Sequence, residues 1–276
     1  MSKIMIGTDE VLKVMFGLDE VSSLSMGEET IPITPPTPPA PVYSAMPFTI
    51  EALGSGDITL GVINTGQSIS RSFYVSVNGG PETEYTISNT GNTALTISVV
   101  TGDTISYRAS QQQNGVADGV YKRILFTGCT TNYNAYGNIL SLSYPDFENK
   151  DTMPNDWNVY YGLFYFSNQL ISAENLVLPS NATEFCYTYM FNNCGNLTVA
   201  PVLPSVSLKS SSYANMFHGC SSLTYIKCLA IDISASNCLK NWVDGVSATG
   251  TFVKDANATW PSGNSGIPTG WTVVDA

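Results

Sequence analysis

Two stretches near the C-terminal end, MFNNCGNLTVAPVLP (Met190–Pro204) and MFHGCSSLTYIKCLA (Met216–Ala230), align without a gap, 26 residues apart. A looser copy, LFYFSNQLISAENLVLP (Leu163–Pro179), stands 27 residues before the first and carries two extra residues near its end. Phe164, Phe191 and Phe217 share one position of this unit. Ser167, Cys194 and Cys220 share a second, and Leu170, Leu197 and Leu223 a third. No unit this short can bury an aromatic ring, a thiol and a leucine by itself. Stacked units bury them against one another, so the spacing predicts a short solenoid with one strand per unit on one wall. Its expected core is Phe164, Leu170, Phe191, Cys194, Leu197, Phe217, Cys220 and Leu223. The cysteine position is small because its counterparts lie directly above and below. Ser167 fits there as the copy next to a cap. YNAYGNILSLSYPDF (Tyr133–Phe147) and DWNVYYGLFYF (Asp156–Phe166) are expected to cap one end. The tail from Ile233 onward is expected to cap the other.

Upstream the pattern is different. FTIEAL, DITLGVI, SFYVSVN, EYTISN, ALTISVV, DTISYRAS and VYKRILFTG are short runs of period two, divided by NTG, NGG, NTGN and TGD. Alternation of this length with such turns predicts an antiparallel β-sandwich of about seven strands over residues 47–128. Ahead of it lies GEETIPITPPTPPAPV (Gly27–Val42), with six prolines. It is read, over 26–46, as a stiff polyproline spacer. At the start, KIMIGTDEV and KVMFGLDEV repeat the same unit ten positions apart. Ile4 and Ile6 lie on one face of the first copy, and Val14 and Phe16 on one face of the second. A lone two-stranded hairpin is marginal in water. Residues 1–25 are therefore expected to dock on another polypeptide, or on sister chains about a threefold axis, through Ile4, Ile6, Val14 and Phe16. Packing on the chain's own sandwich is the competing reading, and the proline spacer opposes it. The whole is a mainly β chain: docking strands, Pro-rich linker, sandwich, and a capped repeat domain over 129–276.

Charge and composition narrow the function. Only 12% of residues are charged, and the net charge is −11 with 11 Lys+Arg. That leaves no basic face for nucleic acid or an anionic membrane. No apolar run reaches the roughly 20 residues that span a bilayer. Asp9 and Glu10 interrupt the first apolar stretch too early for a secretory signal, so cytoplasmic synthesis is expected. Cys129, Cys186, Cys194, Cys220, Cys228 and Cys238 include no CxxC pair, and His218 is the only histidine. Buried reduced thiols are expected, with no metal and no cofactor.

Catalytic chemistry is not indicated either. His218 falls on a loop position occupied by Asn192 in the preceding copy, with no suggestive Ser or Asp beside it. The pairs Asp9/Glu10, Asp19/Glu20 and Glu28/Glu29 read as solvated turn and linker charges. The aromatics Trp157, Tyr160, Tyr161, Tyr165, Trp242, Trp260 and Trp271 are read as capping rings, although such rings also stack on sugars. The chain is not expected to be an enzyme.

The MFxxCxxLTxAPxLP units resemble the BspA-like leucine-rich repeats of surface proteins from gut anaerobes and of phages that infect them. SLTYIKCLAIDISASNC, NWVDGVSATGTFVK and GIPTGWTV resemble the terminal cap of those proteins, and YGNILSLSY and LISAENLVLP the lead-in to their repeats. The resemblance covers about Phe126 to the C-terminus. The array here is shorter than in many relatives and offers less concave surface. The tandem N-terminal unit with its Pro-rich follower resembles the virion-attachment ends of phage structural proteins. Together these imply a phage virion protein, assembled in the host cytoplasm: a head fibre, decoration protein or tail fibre. It would be homotrimeric, held to a capsid or tail protein by residues 1–25, with a tip that touches a host-surface glycan or protein. A bacterial cell-surface adhesin is the alternative.

Overall fold

The computed structural model describes residues 42–64, 69–89, 94–113, 122–154 and 156–276, and ahead of these the backbone of four short strands. The chain divides into two compact units, Met1–Pro41 and Val42–Ala276. In the first, β1 (Met15–Phe16) pairs antiparallel with β2 (Asp19–Glu20), and β3 (Ser23–Met26) with β4 (Glu29–Pro32). Ile4, Ile6 and Val14 lie outside the described residues, and of Phe16 only its place in β1 is defined. The second pair revises the expected boundaries. It straddles the division at 25/26, and Glu29–Pro32 forms a strand where a polyproline spacer was expected. The β-branched Thr30 and Ile31 favour a ladder, and Pro32 closes it because it has no N–H to donate.

In the second unit each of the seven alternating runs forms a strand: β5 (Phe48–Ala52), β6 (Gly56–Asn64), β7 (Ser70–Val77), β8 (Thr83–Ser88), β9 (Leu95–Val99), β10 (Thr104–Ala109) and β11 (Lys122–Phe126). All their pairings are antiparallel, in the orders β5-β10-β7-β8 and β11-β6-β9. Successive side chains point to opposite faces, and β10 buries Ile105, Tyr107 and Ala109 while the residues between them stay half-exposed.

The pairing changes hand at β12 (Tyr133–Asn138). One edge of β12 lies antiparallel to β5; the other runs parallel to β13 (Leu170–Ser172) and β14 (Leu176–Val177). Parallel bridges continue from Ser172 to Val199 and from Val199 to Tyr225. They lead into the parallel set β15 (Tyr225–Cys228), β16 (Thr251–Lys254) and β17 (Thr272–Asp275). The protein is thus mainly β, with several sheets, none closed.

The division expected at 128/129 runs through a shared core. Phe126 stacks on Phe164 with ring centroids 5.5 Å apart and lies 6.0 Å from Tyr133. Phe48 approaches Phe126 at 5.8 Å and Phe164 at 6.1 Å. All four side chains are fully buried. Aromatic pairs at these separations add about 0.5–1.5 kcal/mol each beyond their area burial. The knot joins β5 and β11 to the first repeat.

The end of the expected linker is also tied down. Tyr43 meets the ring of Tyr136 edge-on at 5.6 Å, and Asn138 N–H donates to the Met46 carbonyl at 2.8 Å. Gly137 allows this approach. Its φ is +83°, and a Cβ there would lie 2.1 Å from the Pro47 carbonyl oxygen. Gly137→Ala must shift backbone and adopt a left-handed conformation. The expected loss is about 3 kcal/mol or more, read as a lower denaturant midpoint in urea titration. An unchanged midpoint refutes the packing of residues 42–47 on β12.

Candidate functional site

Opposite the parallel strands, each repeat runs through a chain of turns with a left-handed residue at every fourth position. Asn158, Gly162 and Phe166 hold these positions in the first rung, and Phe185, Tyr189 and Asn193 in the second. Ser211, Asn215 and Gly219 follow in the third, and Asn237, Asn241 and Gly245 in the fourth. The fourth rung lies in the tail expected only to cap the array. Asn and Gly are the residues that tolerate this conformation, and they fill most of the twelve positions.

The hydrogen bonds explain the path. Within the second rung, Thr188, Met190, Asn192 and Cys194 donate N–H back three residues, to Phe185, Tyr187, Tyr189 and Phe191. The residues between them donate outward: Phe185 to Ser210, Tyr187 to Ser212, Tyr189 to Ala214, Phe191 to Met216 and Asn193 to His218, at 2.7–3.1 Å. Each buried donor is satisfied, and alternate donors tie one rung to the next.

The repeat-core side chains come together inside this ladder. Phe164, Leu170, Phe191, Cys194, Leu197, Phe217, Cys220 and Leu223 are all fully buried. Phe164 and Phe191 stack 5.3 Å apart, and Phe191 and Phe217 5.5 Å apart. The thiols bond back to the preceding rung: Cys194 to the Phe164 carbonyl and Cys220 to the Phe191 carbonyl, both at 3.0 Å. In the first rung, Ser167 instead meets the hydroxyl of Tyr133 at 2.6 Å. A hydroxyl is needed there because the neighbour is a polar group of β12. At the far end Trp242 packs 6.0 Å from Phe217 and donates Nε1–H to the Gly266 carbonyl at 2.7 Å.

His218 is half-buried and lies 3.6 Å from Asp244 in the next rung. Among the described residues no nucleophile is held against that pair by a hydrogen bond. Among the described residues no three His, Cys, Asp or Glu side chains are grouped to hold a metal ion. None of their helices is long and apolar enough to cross a membrane. Of the acidic pairs, Asp19 and Glu20 form β2 and Glu29 begins β4; Asp9, Glu10 and Glu28 lie outside the described residues. Among the aromatics, Tyr160, Trp242 and Trp271 are buried, Trp260 packs on Phe252 at 5.2 Å, and Trp157 is exposed.

A second cluster was not legible in the sequence. Arg123 of β11 is buried, 7% exposed, with its guanidinium over the rings of Tyr165 at 4.5 Å and Tyr161 at 5.2 Å. Gly162 leaves room for it, since a Cβ there would meet Nη1 at 2.7 Å. Tyr189 of the second rung closes on Tyr161 at 5.5 Å and Tyr165 at 6.0 Å, and Phe166 meets Tyr165 edge-on at 4.5 Å. These five residues form an aromatic shelf over a cation. Burial lowers the Arg123 pKa, and the facing Tyr161 and Tyr165 oppose that shift. Its Nε has no hydrogen-bond partner, and among the described residues no carboxylate pairs with it. Phe166 and Tyr189 hold left-handed backbone, at φ +62° and +58°. Such a conformation costs roughly 1–2 kcal/mol for a residue with a Cβ. The one sequence signal was an arginine inside the apolar strand KRILF.

Comparison with protein-family models, with curated proteins and with solved structures found no match to this chain.

All six cysteines are free and buried. Burial pushes the thiols of Cys186, Cys220 and Cys228 up to about 12, and that of Cys194 well above its ordinary value. A thiol that stays protonated in the folded chain but ionises in the unfolded one favours folding fully below its unfolded pKa of 9.0. Above that value the contribution is lost, at about 1.4 kcal/mol per thiol per pH unit, until the folded thiol itself ionises. Stability should therefore be flat from pH 6 to 8 and fall steeply from about pH 9. Urea midpoints across that range check this. Native protein should also resist thiol reagents at pH 8 and react fully once unfolded.

Proposed function

We propose that this chain is a phage virion structural protein, a head fibre, decoration protein or tail fibre, anchored through its N-terminal unit and projecting an adhesive body. In this reading β5 to β11 make up a β-sandwich, and the rungs with their wall strands form a short BspA-like leucine-rich-repeat solenoid with caps. The virion is its location, a capsid or tail protein its partner, and a homotrimer its assembly. Its work is attachment, without catalysis or cofactor.

The observation that carries the reading is the N-terminal unit. Its described strands are two to four residues long and occur only in pairs. Two-stranded pairs of that length bury too little surface to hold in water, so a partner's sheet edge or sister chains are the natural host. Ile4, Ile6, Val14 and Phe16 supply the apolar side chains for that contact. Residues 42–276, by contrast, have a continuous core of their own. The tandem N-terminal unit and the repeat motifs support the same assignment. A bacterial cell-surface adhesin built on the same repeats is the second reading.

Mass spectrometry of purified virions separates the two. A stoichiometric band supports the first reading, and recovery in the host cell envelope supports the second. Deleting residues 1–41 should leave 42–276 soluble with an unchanged urea midpoint while abolishing incorporation into particles. Normal incorporation of that truncated chain refutes the anchoring role.

A further inference from the structure

The first three rungs share one backbone hydrogen-bond pattern and the fourth repeats their left-handed positions, so they serve as controls for one another. At the last left-handed position of each rung stand Phe166, Asn193, Gly219 and Gly245. At the position before it stand Tyr165, Asn192, His218 and Asp244, and one turn earlier Tyr161, Thr188, Ala214 and Lys240. Later rungs use polar or small residues at these places; the first uses aromatics at all three. Folding accounts for Tyr161, which is buried against Arg123, but not for Phe166. Phe166 is 57% exposed in a conformation that glycine adopts freely, so its ring gains little burial and strains its own backbone. Tyr189, the other strained aromatic of the cluster, closes on the same rings.

Arg123 adds the second observation. It is more than nine-tenths buried, its Nε is unpartnered, and its charge is opposed by aromatic faces rather than by a carboxylate among the described residues. The cation braces Tyr161 and Tyr165 from below, which fixes the rings before any ligand arrives. It also leaves a positive charge to be matched, on a chain whose net charge is −11.

We infer that the shelf of Tyr161, Tyr165, Phe166 and Tyr189 over Arg123 binds a carboxylate-bearing pyranose, the acidic sugar of a surface glycan. The exposed ring of Phe166 and the half-exposed rings of Tyr165 and Tyr189 offer apolar surface to the C–H side of the sugar ring. The buried Tyr161 and Arg123 support them from beneath, and Arg123 acts on the carboxylate through its field rather than by contact. The inference rests on the adhesive role proposed above, and it names the residues and ligand class of that adhesion.

The test is titration calorimetry of the full chain with three probes: trigalacturonic acid, sialyllactose and lactose. At least one acidic probe should bind about tenfold or more tighter than lactose, and added salt should weaken it. Phe166→Gly should weaken that binding about fivefold or more while leaving the urea midpoint unchanged or higher. Arg123→Gln should remove the preference for acid. If that variant does not fold, the salt dependence of the wild-type chain stands in for it. No binding of any probe, equal binding of lactose, or full binding by Phe166→Gly overturns the site. Virion composition is measured independently, so failure of the site leaves the virion assignment intact, and the reverse holds too.

Discussion

Each rung of the array depends on the next for the partners of its alternate backbone N–H groups. That dependence decides most of the remaining structure. A turn ribbon with a left-handed residue at every fourth position directs half of its donors along the chain and half across it. A single copy would leave its outward donors to water and its Phe, Cys and Leu side chains uncovered, so it gains nothing by forming alone. Both ends of the stack must therefore terminate on something polar and shaped to fit. Here one end is β12 and the aromatic knot of Phe48, Phe126, Tyr133 and Phe164, and the other is the Trp242 cap.

The same constraint explains why the upstream strands and the repeats share a core. β12 pairs antiparallel with β5 on one edge and parallel with β13 and β14 on the other, so it converts one pairing style into the other. Ser167 replaces cysteine in the rung that meets it, where Tyr133 offers a hydroxyl in place of a carbonyl. The upstream body serves as the platform on which the first rung forms. The first rung thereby gains neighbours on both sides and can carry residues that do not help it fold, such as the exposed Phe166.

The alternating runs were legible as strands because period two is a direct consequence of strand geometry. The shared burial of Phe, Cys and Leu positions was legible for a similar reason: repetition at fixed spacing leaves identical residues at stacked sites. The turn ribbon was not. Its signature is a left-handed residue every fourth position, and the residues there range from Gly and Asn to Phe and Tyr. The fourth rung was hidden as well. Leu239 and Val243 stand where earlier rungs place Tyr213 and Phe217, and Trp242 fills the stack from the neighbouring position. The hairpin of β3 and β4 escaped notice because prolines dominate the stretch around it.

By itself, the amino-acid sequence determined a mainly β chain with repeated, inward-facing Phe, Cys and Leu positions, since periodicity and spacing are local properties of the string. Only the tertiary structure decided that β12 joins the two halves, and that Arg123 lies beneath Tyr161 and Tyr165, 38 and 42 residues further along. Contacts of that kind depend on sheet order and stacking direction. No periodicity encodes them, because the residues that meet belong to different elements whose pairing is chosen by the fold as a whole.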